Sequence, residues 1–252
     1  QAFEFSQFRL FGIGSHLPDH PQQSHEFNHP RLQLRVTEHT GRTRISVNAP
    51  DIGGQALHVA LDILRPAHLD SVNLVVPLGP GSFHATSRQL GLPCNGSVQL
   101  GKQHYSCVGG QSFASLDFGR GVWPLNSHWT RAAFAAPGGI AGNFGAGWTD
   151  HSGLSENALW FGGELLHLPH PVHIEANTPD ELSNWRLSSA DGRVALTFSP
   201  HKQHRANPQV GPLQANTQQW FGRFDGTLRA PSGESVPVNG ALGWIGSTVA
   251  RW

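Results

Sequence analysis

Arg31-Leu-Gln-Leu-Arg-Val36 alternates Leu32, Leu34 and Val36 with polar neighbours, and Glu38-His-Thr-Gly41 then leads into Arg42-Thr-Arg-Ile-Ser-Val47. Alternation of this kind puts one set of side chains on one face of a strand. The two runs therefore predict a hairpin closed by a Gly-containing loop. Ala56–Leu64 repeats the period, with Leu57, Val59, Leu61 and Ile63 on one face and His58 and Asp62 on the other. Working outward, Asn73–Leu78, Ser97–Leu100, Val194–Phe198 and Trp220–Leu228 read as further strands. Asn95-Gly96, Asp191-Gly192 and Asn239-Gly240 read as turns, because these residues tolerate positive φ. Helical signals are confined to Thr178-Pro179-Asp180-Glu181-Leu182, an N-cap followed by proline and acids, which supports a turn or two. The expectation is an all-β chain of roughly 14–18 short strands. Their edges would be buried in an antiparallel β-barrel or β-sandwich. One continuous domain, or two β halves at 1–110 and 111–252, both fit this pattern.

Composition narrows the partners. The 252 residues carry 17 Lys plus Arg against 17 Asp plus Glu, so formal net charge is zero. Affinity for nucleic acid comes from neutralised phosphates, and with no positive excess no nucleic-acid partner is expected. Apolar runs reach about five residues, as at Leu74–Leu78, too short for a helical membrane span. Gln1-Ala2 shows no basic or apolar leader, and a cytoplasmic location is the expectation. Cys94 and Cys107 are the only cysteines; they do not make a disulfide framework and are expected to be reduced structural thiols, with a single bridge as the alternative.

Residues 112–161 are about a fifth of the chain but hold nine of its 23 aromatics, interleaved with glycines and with Asp117, Arg120, Asp150 and Glu156. Such a segment is either a β core in which glycines pass under indoles, or an aromatic-walled cavity with a few convergent polar groups. Within it lie Leu116-Asp-Phe-Gly-Arg-Gly-Val-Trp-Pro124 and Gly147-Trp-Thr-Asp-His-Ser-Gly-Leu-Ser-Glu-Asn-Ala-Leu159. These blocks resemble a microbial family known as domain of unknown function twenty-eight-oh-four. The likeness continues through Ala195-Leu-Thr-Phe-Ser-Pro200, Trp220-Phe-Gly-Arg-Phe-Asp-Gly-Thr-Leu228 and Gly240-Ala-Leu-Gly-Trp244 to Arg251-Trp252. The chain departs from the family pattern at Leu125-Asn126-Ser127, at Trp129-Thr130-Arg131 and at Gly246, where an acidic residue is usual. If those positions belong to the family's site, the activity here is altered or lost. The resemblance implies a lipocalin-like fold similar to carotenoid-hydratase-type proteins, and it implies no activity.

Read physically, an extended Ser155–Phe161 would place Glu156, Ala158 and Trp160 on one face and Asn157 on the other. Glu156 would then lie beside an indole in an apolar wall, where desolvation favours a carboxylic acid able to donate a proton near neutrality. Asp150 would be its ionised partner; the structural alternative is that both carboxylates cap Gly-rich turns. Asp117 and Arg120 read as an ion pair bracing a loop, or as an arginine presented to an anion. The candidate ligand-binding residues are thus Asp117, Arg120, Trp123, Trp129, Trp148, Asn157 and Trp160, with Asp150 and Glu156 as the acid–base pair. His16, His20, His25 and His29 form one cluster, and His167, His170 and His173 another. Neither has the spacing of a metal site, so no metal and no cofactor are expected. The function expected is binding of a small, largely apolar molecule, with carboxylate acid–base chemistry of the hydratase or isomerase kind. A carbohydrate-active protein using an Asp/Glu pair, or a non-catalytic carrier, are the alternatives. Oligomeric state is not legible.

Overall fold

The computed structural model describes residues 18–150, 152–178 and 182–251, and among these there are eighteen strands and no helix. The first eight are β1 (His25–His29), β2 (Leu32–His39), β3 (Arg42–Ala49), β4 (Leu57–Leu64), β5 (Val72–Gly79), β6 (Ser82–Leu100), β7 (Gln103–Cys107) and β8 (Phe113–Val122). Next come β9 (Asn126–Ala136), β10 (Ile140–Ala146), β11 (Ala158–Phe161), β12 (Glu164–His167) and β13 (Val172–Ala176). The last are β14 (Trp185–Ser189), β15 (Val194–Ala206), β16 (Gln209–Val210), β17 (Leu213–Arg229) and β18 (Ser235–Arg251). Every strand pairing with a defined register is antiparallel, so the expected all-β, antiparallel class is the one observed.

The described residues form two compact units, 18–67 with 92–116 and 68–91 with those from 117 onward. In the first, β1 to β4 form a meander that continues onto the C-terminal half of β6 and then β7. Cys94 and Cys107 are free thiols there, and burial, followed by the neighbouring Cys107, pushes the Cys94 thiol up.

The second unit is built on a ten-stranded sheet in the order β12-β11-β10-β9-β18-β17-β15-β14-β13, with β16 added to β17. Alternation along β9 gives that sheet two buried faces. Ala132 and Phe134 enter one core with Phe144, Leu159, Phe198, Phe224 and Ile245. Ala133 enters a second with Ala141, Ala158 and Trp160, and with Val72 and Leu90 from the β5–β6 pair. The β5–β6 pair therefore covers the face of β9 and β10 that carries Ala133. Every polar residue on that covered face must find a partner or serve a ligand.

Two expected turns fall inside strands. Asn95-Gly96 lies within the nineteen-residue β6, and Asn239-Gly240 within β18. At the latter, Gly240 donates its N–H to Asp225 Oδ1 at 2.7 Å beside a register shift on β17. The second is a bulge, whereas pairing with β4 runs through Asn95-Gly96 without a register shift. The short helix expected near Thr178 falls largely on residues outside those described.

Candidate functional site

The site grows from parity on three strands of the second unit. On β6, alternate residues His84, Thr86, Arg88 and Leu90 are all buried. On β9, Arg131 shares the face of Ala133. On β10, Gly145 pairs directly with Arg131, and Asn143 with Ala133. Leu90 and Ala133 close the apolar end of this face; Arg88, Arg131 and Asn143 leave its other end polar.

Glu156 supplies the counter-charge. It sits in the loop between β10 and β11 and is completely buried. The loop is pinned from both sides: Asn143 Nδ2 donates to the Glu156 carbonyl at 2.8 Å, and Gly145 N–H donates to Asn157 Oδ1 at 2.7 Å. The Glu156 carboxylate then occupies space that only glycine leaves open. A Cβ added at Gly145 would lie 2.0 Å from its Oε1.

Two arginines and two carboxylates make one network. Arg88 Nε lies 2.9 Å from Glu156 Oε2, and Arg131 Nε 3.6 Å from Oε1. Asp117 Oδ2 is 3.3 Å from both Arg88 Nη1 and Arg131 Nη1. Trp148 donates its indole N–H to Glu156 Oε1 at 2.5 Å, and Arg88 donates to Thr86 Oγ1 and Asn143 Oδ1. The Arg88 Nε–H is aligned with Thr86, so its proximity to Glu156 is an ion pair without an aligned hydrogen bond. As a result Glu156 Oε2, Arg88 Nη2, Arg131 Nε and His84 Nδ1 are buried with no hydrogen-bond partner in the protein.

Aromatic rings flank the network. His84 lies 4.8 Å from Trp123 and 5.2 Å, edge-on, from Trp148; Trp123 is 4.8 Å from Trp129 and 5.8 Å from Trp148. The Arg131 guanidinium stands 5.6 Å over the Trp148 ring. Trp123 and Trp148 also line an open recess of about 320 Å³, together with Pro77, Leu78, Pro124, His128 and Asp150. The two motif blocks, 116–124 and 147–159, thus meet in space. The first glycine of the earlier block has a clear purpose: a Cβ at Gly119 would lie 2.6 Å from His84 Cε1.

Burial, then the charges of Arg131 and Arg88, push the His84 imidazole down to about 4 from the ordinary 6.5. It is neutral at neutral pH. Between about pH 6.5 and pH 4 the unfolded chain takes up a proton that the folded one refuses, so stability falls as pH drops through that window. His84→Phe is expected to flatten this fall, read as the shift in urea midpoint between pH 7 and pH 5. Equal shifts in both proteins would contradict this reading of His84.

The residues singled out from sequence separate into groups. Asp117, Trp123, Trp129, Trp148 and Glu156 come together. Asp150 is exposed on the turn after Gly147 and lines the recess, while Glu156 lies behind Trp148. The guanidiniums beside Glu156 are those of Arg88 and Arg131; Arg120 is exposed on β8. Asn157 holds the loop. Trp160 stands in the second core with its N–H donated to the Asp70 carbonyl at 2.9 Å. The extended segment expected over 155–161 begins only at Ala158, which is why Glu156 meets Trp148 and not Trp160. His84, Thr86, Arg88 and Asn143 carried no expectation from sequence, and Arg131 stood out there only as a departure from the family pattern. Among the described residues, no three His, Cys, Asp or Glu side chains are grouped as a metal site.

The chain belongs to the family described as domain of unknown function DUF2804, whose model matches residues 3–252. A search of curated proteins returns no match. Among solved structures, the crystal structure of kievitone hydratase from Nectria haematococca is similar, at 11% identity and a TM-score of 0.41 over 88% of this chain and 83% of that one. Two of the departures from the family pattern, Arg131 and Gly246, are direct cross-strand partners on β9 and β18.

Proposed function

We propose that the face formed by His84, Arg88, Arg131 and Glu156, with its wall of Trp123 and Trp148, binds a small, largely apolar molecule and acts on it by acid–base chemistry of the hydratase or isomerase kind. The observation that carries this reading is the set of four buried polar atoms left without partners in one cluster. A buried polar group without a hydrogen bond costs about 1–3 kcal/mol, and a cluster of them is retained where something else uses it. The adjoining recess, lined by Pro77, Leu78, Pro124 and two indoles, offers apolar surface to the rest of the molecule.

Glycosidic chemistry fits less well. It needs two carboxylates flanking one bond. Asp150 lines the open recess and Glu156 belongs to the buried cluster, so the two do not flank one bond.

Native mass spectrometry of freshly purified protein tests the proposal. The expected result is a retained small molecule whose occupancy falls when Trp123 is replaced by alanine. Retention that Trp123→Ala leaves unchanged would place the ligand elsewhere and overturn the reading.

A further inference from the structure

Charge arithmetic within the cluster restricts what it can hold. Arg88 and Arg131 contribute two positive charges, and Asp117 and Glu156 two negative ones, at separations of 2.9–3.6 Å. Each carboxylate is already shared between both guanidiniums. An anionic ligand would have to displace Glu156 or Asp117, and a cationic one would meet Arg88 and Arg131 in a site shielded from water, where like charges repel strongly. Asp150 is the charged residue on the recess, and it is exposed and therefore screened.

The unpaired atoms define the polar group that is wanted. Arg88 Nη2 and Arg131 Nε are donors and Glu156 Oε2 is an acceptor. The His84 ring accepts or donates through Nδ1 according to its tautomer. A hydroxyl matches such a mixed set, since it donates one hydrogen bond and accepts up to two. His84 is the ionisable member that no ion pair engages. It is more than nine-tenths buried, and its ring contacts both indoles that line the recess. Those indoles offer flat faces.

We infer that the site takes an uncharged, flat molecule bearing a hydroxyl group, and that His84 is the residue that reads this hydroxyl. The inference rests on the ligand-site reading above and adds to it the charge class, the polar group and the residue that recognises it.

Four probes of one ring system test it: naphthalene, naphthol, naphthoate and naphthylmethylammonium, each measured by equilibrium dialysis against the full chain at neutral pH. Naphthol is expected to bind about tenfold more tightly than naphthalene, the size of one well-made buried hydrogen bond. Naphthoate and naphthylmethylammonium are expected to bind more weakly than either. His84→Phe should abolish the advantage of naphthol over naphthalene, read as the ratio of the two affinities in that variant. His84→Asn, which keeps a polar atom near the Nδ1 position, should restore part of it. Tighter binding of a charged probe, or a naphthol advantage that survives His84→Phe, would overturn this inference and leave the ligand site standing. Failure of all four probes to bind would overturn both.

Discussion

Glu156→Ala is expected to destabilise the protein by about 3–5 kcal/mol, because it leaves two buried guanidiniums with only the half-exposed Asp117 as counter-charge. Arg88 is 2% exposed and Arg131 14%, so water cannot replace the lost carboxylate. Burial already pulls the Arg131 guanidinium below the ordinary arginine range, with Glu156 the largest influence opposing that shift. The variant also leaves the Trp148 N–H without its acceptor. In thermal unfolding the loss should appear as a fall of about 6–20 °C. Glu156→Gln keeps the volume and an acceptor for Trp148, and is expected to cost less. A Glu156→Ala variant within about 1 kcal/mol of the parent would mean that the ion pairs contribute little.

The second large effect comes from a residue with no side chain. A methyl at Gly145 would sit 2.0 Å from Glu156 Oε1 and 2.6 Å from Cδ. The carboxylate must leave, or β10 must shift in a sheet where Gly145 pairs with Arg131 on β9. Overpacking alone costs about 1–3 kcal/mol, and the displaced ion pair adds to it. The cost is therefore conditional on Glu156. In a Glu156→Ala background the same methyl enters vacated space, so Gly145→Ala should add almost nothing there. Denaturant unfolding of the two single variants and the double variant measures the coupling directly. Additive costs would show that the glycine serves the backbone and not the carboxylate.

The sheet is largely legible in the sequence because the relevant strands obey period two. Arg31–Val36, Arg42–Val47, Ala56–Leu64 and Asn73–Leu78 correspond to β2, β3, β4 and β5 within a few residues. The N-terminal half of β6 does not show itself. Gly91-Leu-Pro-Cys-Asn-Gly96 carries turn residues, and Ser82–Gln89 reverses the usual pattern. Phe83 is 44% exposed while Arg88, in the same strand, is buried. Nothing local distinguishes an inward arginine from a solvent-facing one; its partner Glu156 is 68 positions along the chain.

The site is legible in part for a related reason. Asp117 and Trp123 stand out because their block is dense in glycine and tryptophan, and Asp117, Gly119, Gly121 and Trp123 share one parity on or just beyond β8. An extended strand with that parity carries all four on a common face. Parity alone does not name what they face. Gly119 is small because His84 lies against it, and His84 belongs to a strand hidden by its own turn-like residues.

The most direct test replaces the polar centre without opening a hole. Arg88→Met combined with Glu156→Leu removes one buried ion pair and leaves Arg131 paired with Asp117. Exchanging a buried ion pair for apolar side chains of similar volume is often neutral or stabilising, so the double variant should fold, which circular dichroism would verify. Native mass spectrometry should then show that the molecule carried by the parent protein, or added naphthol where none co-purifies, no longer binds. A folded double variant that holds the same molecule at the same occupancy would contradict the assignment of this cluster as the ligand site.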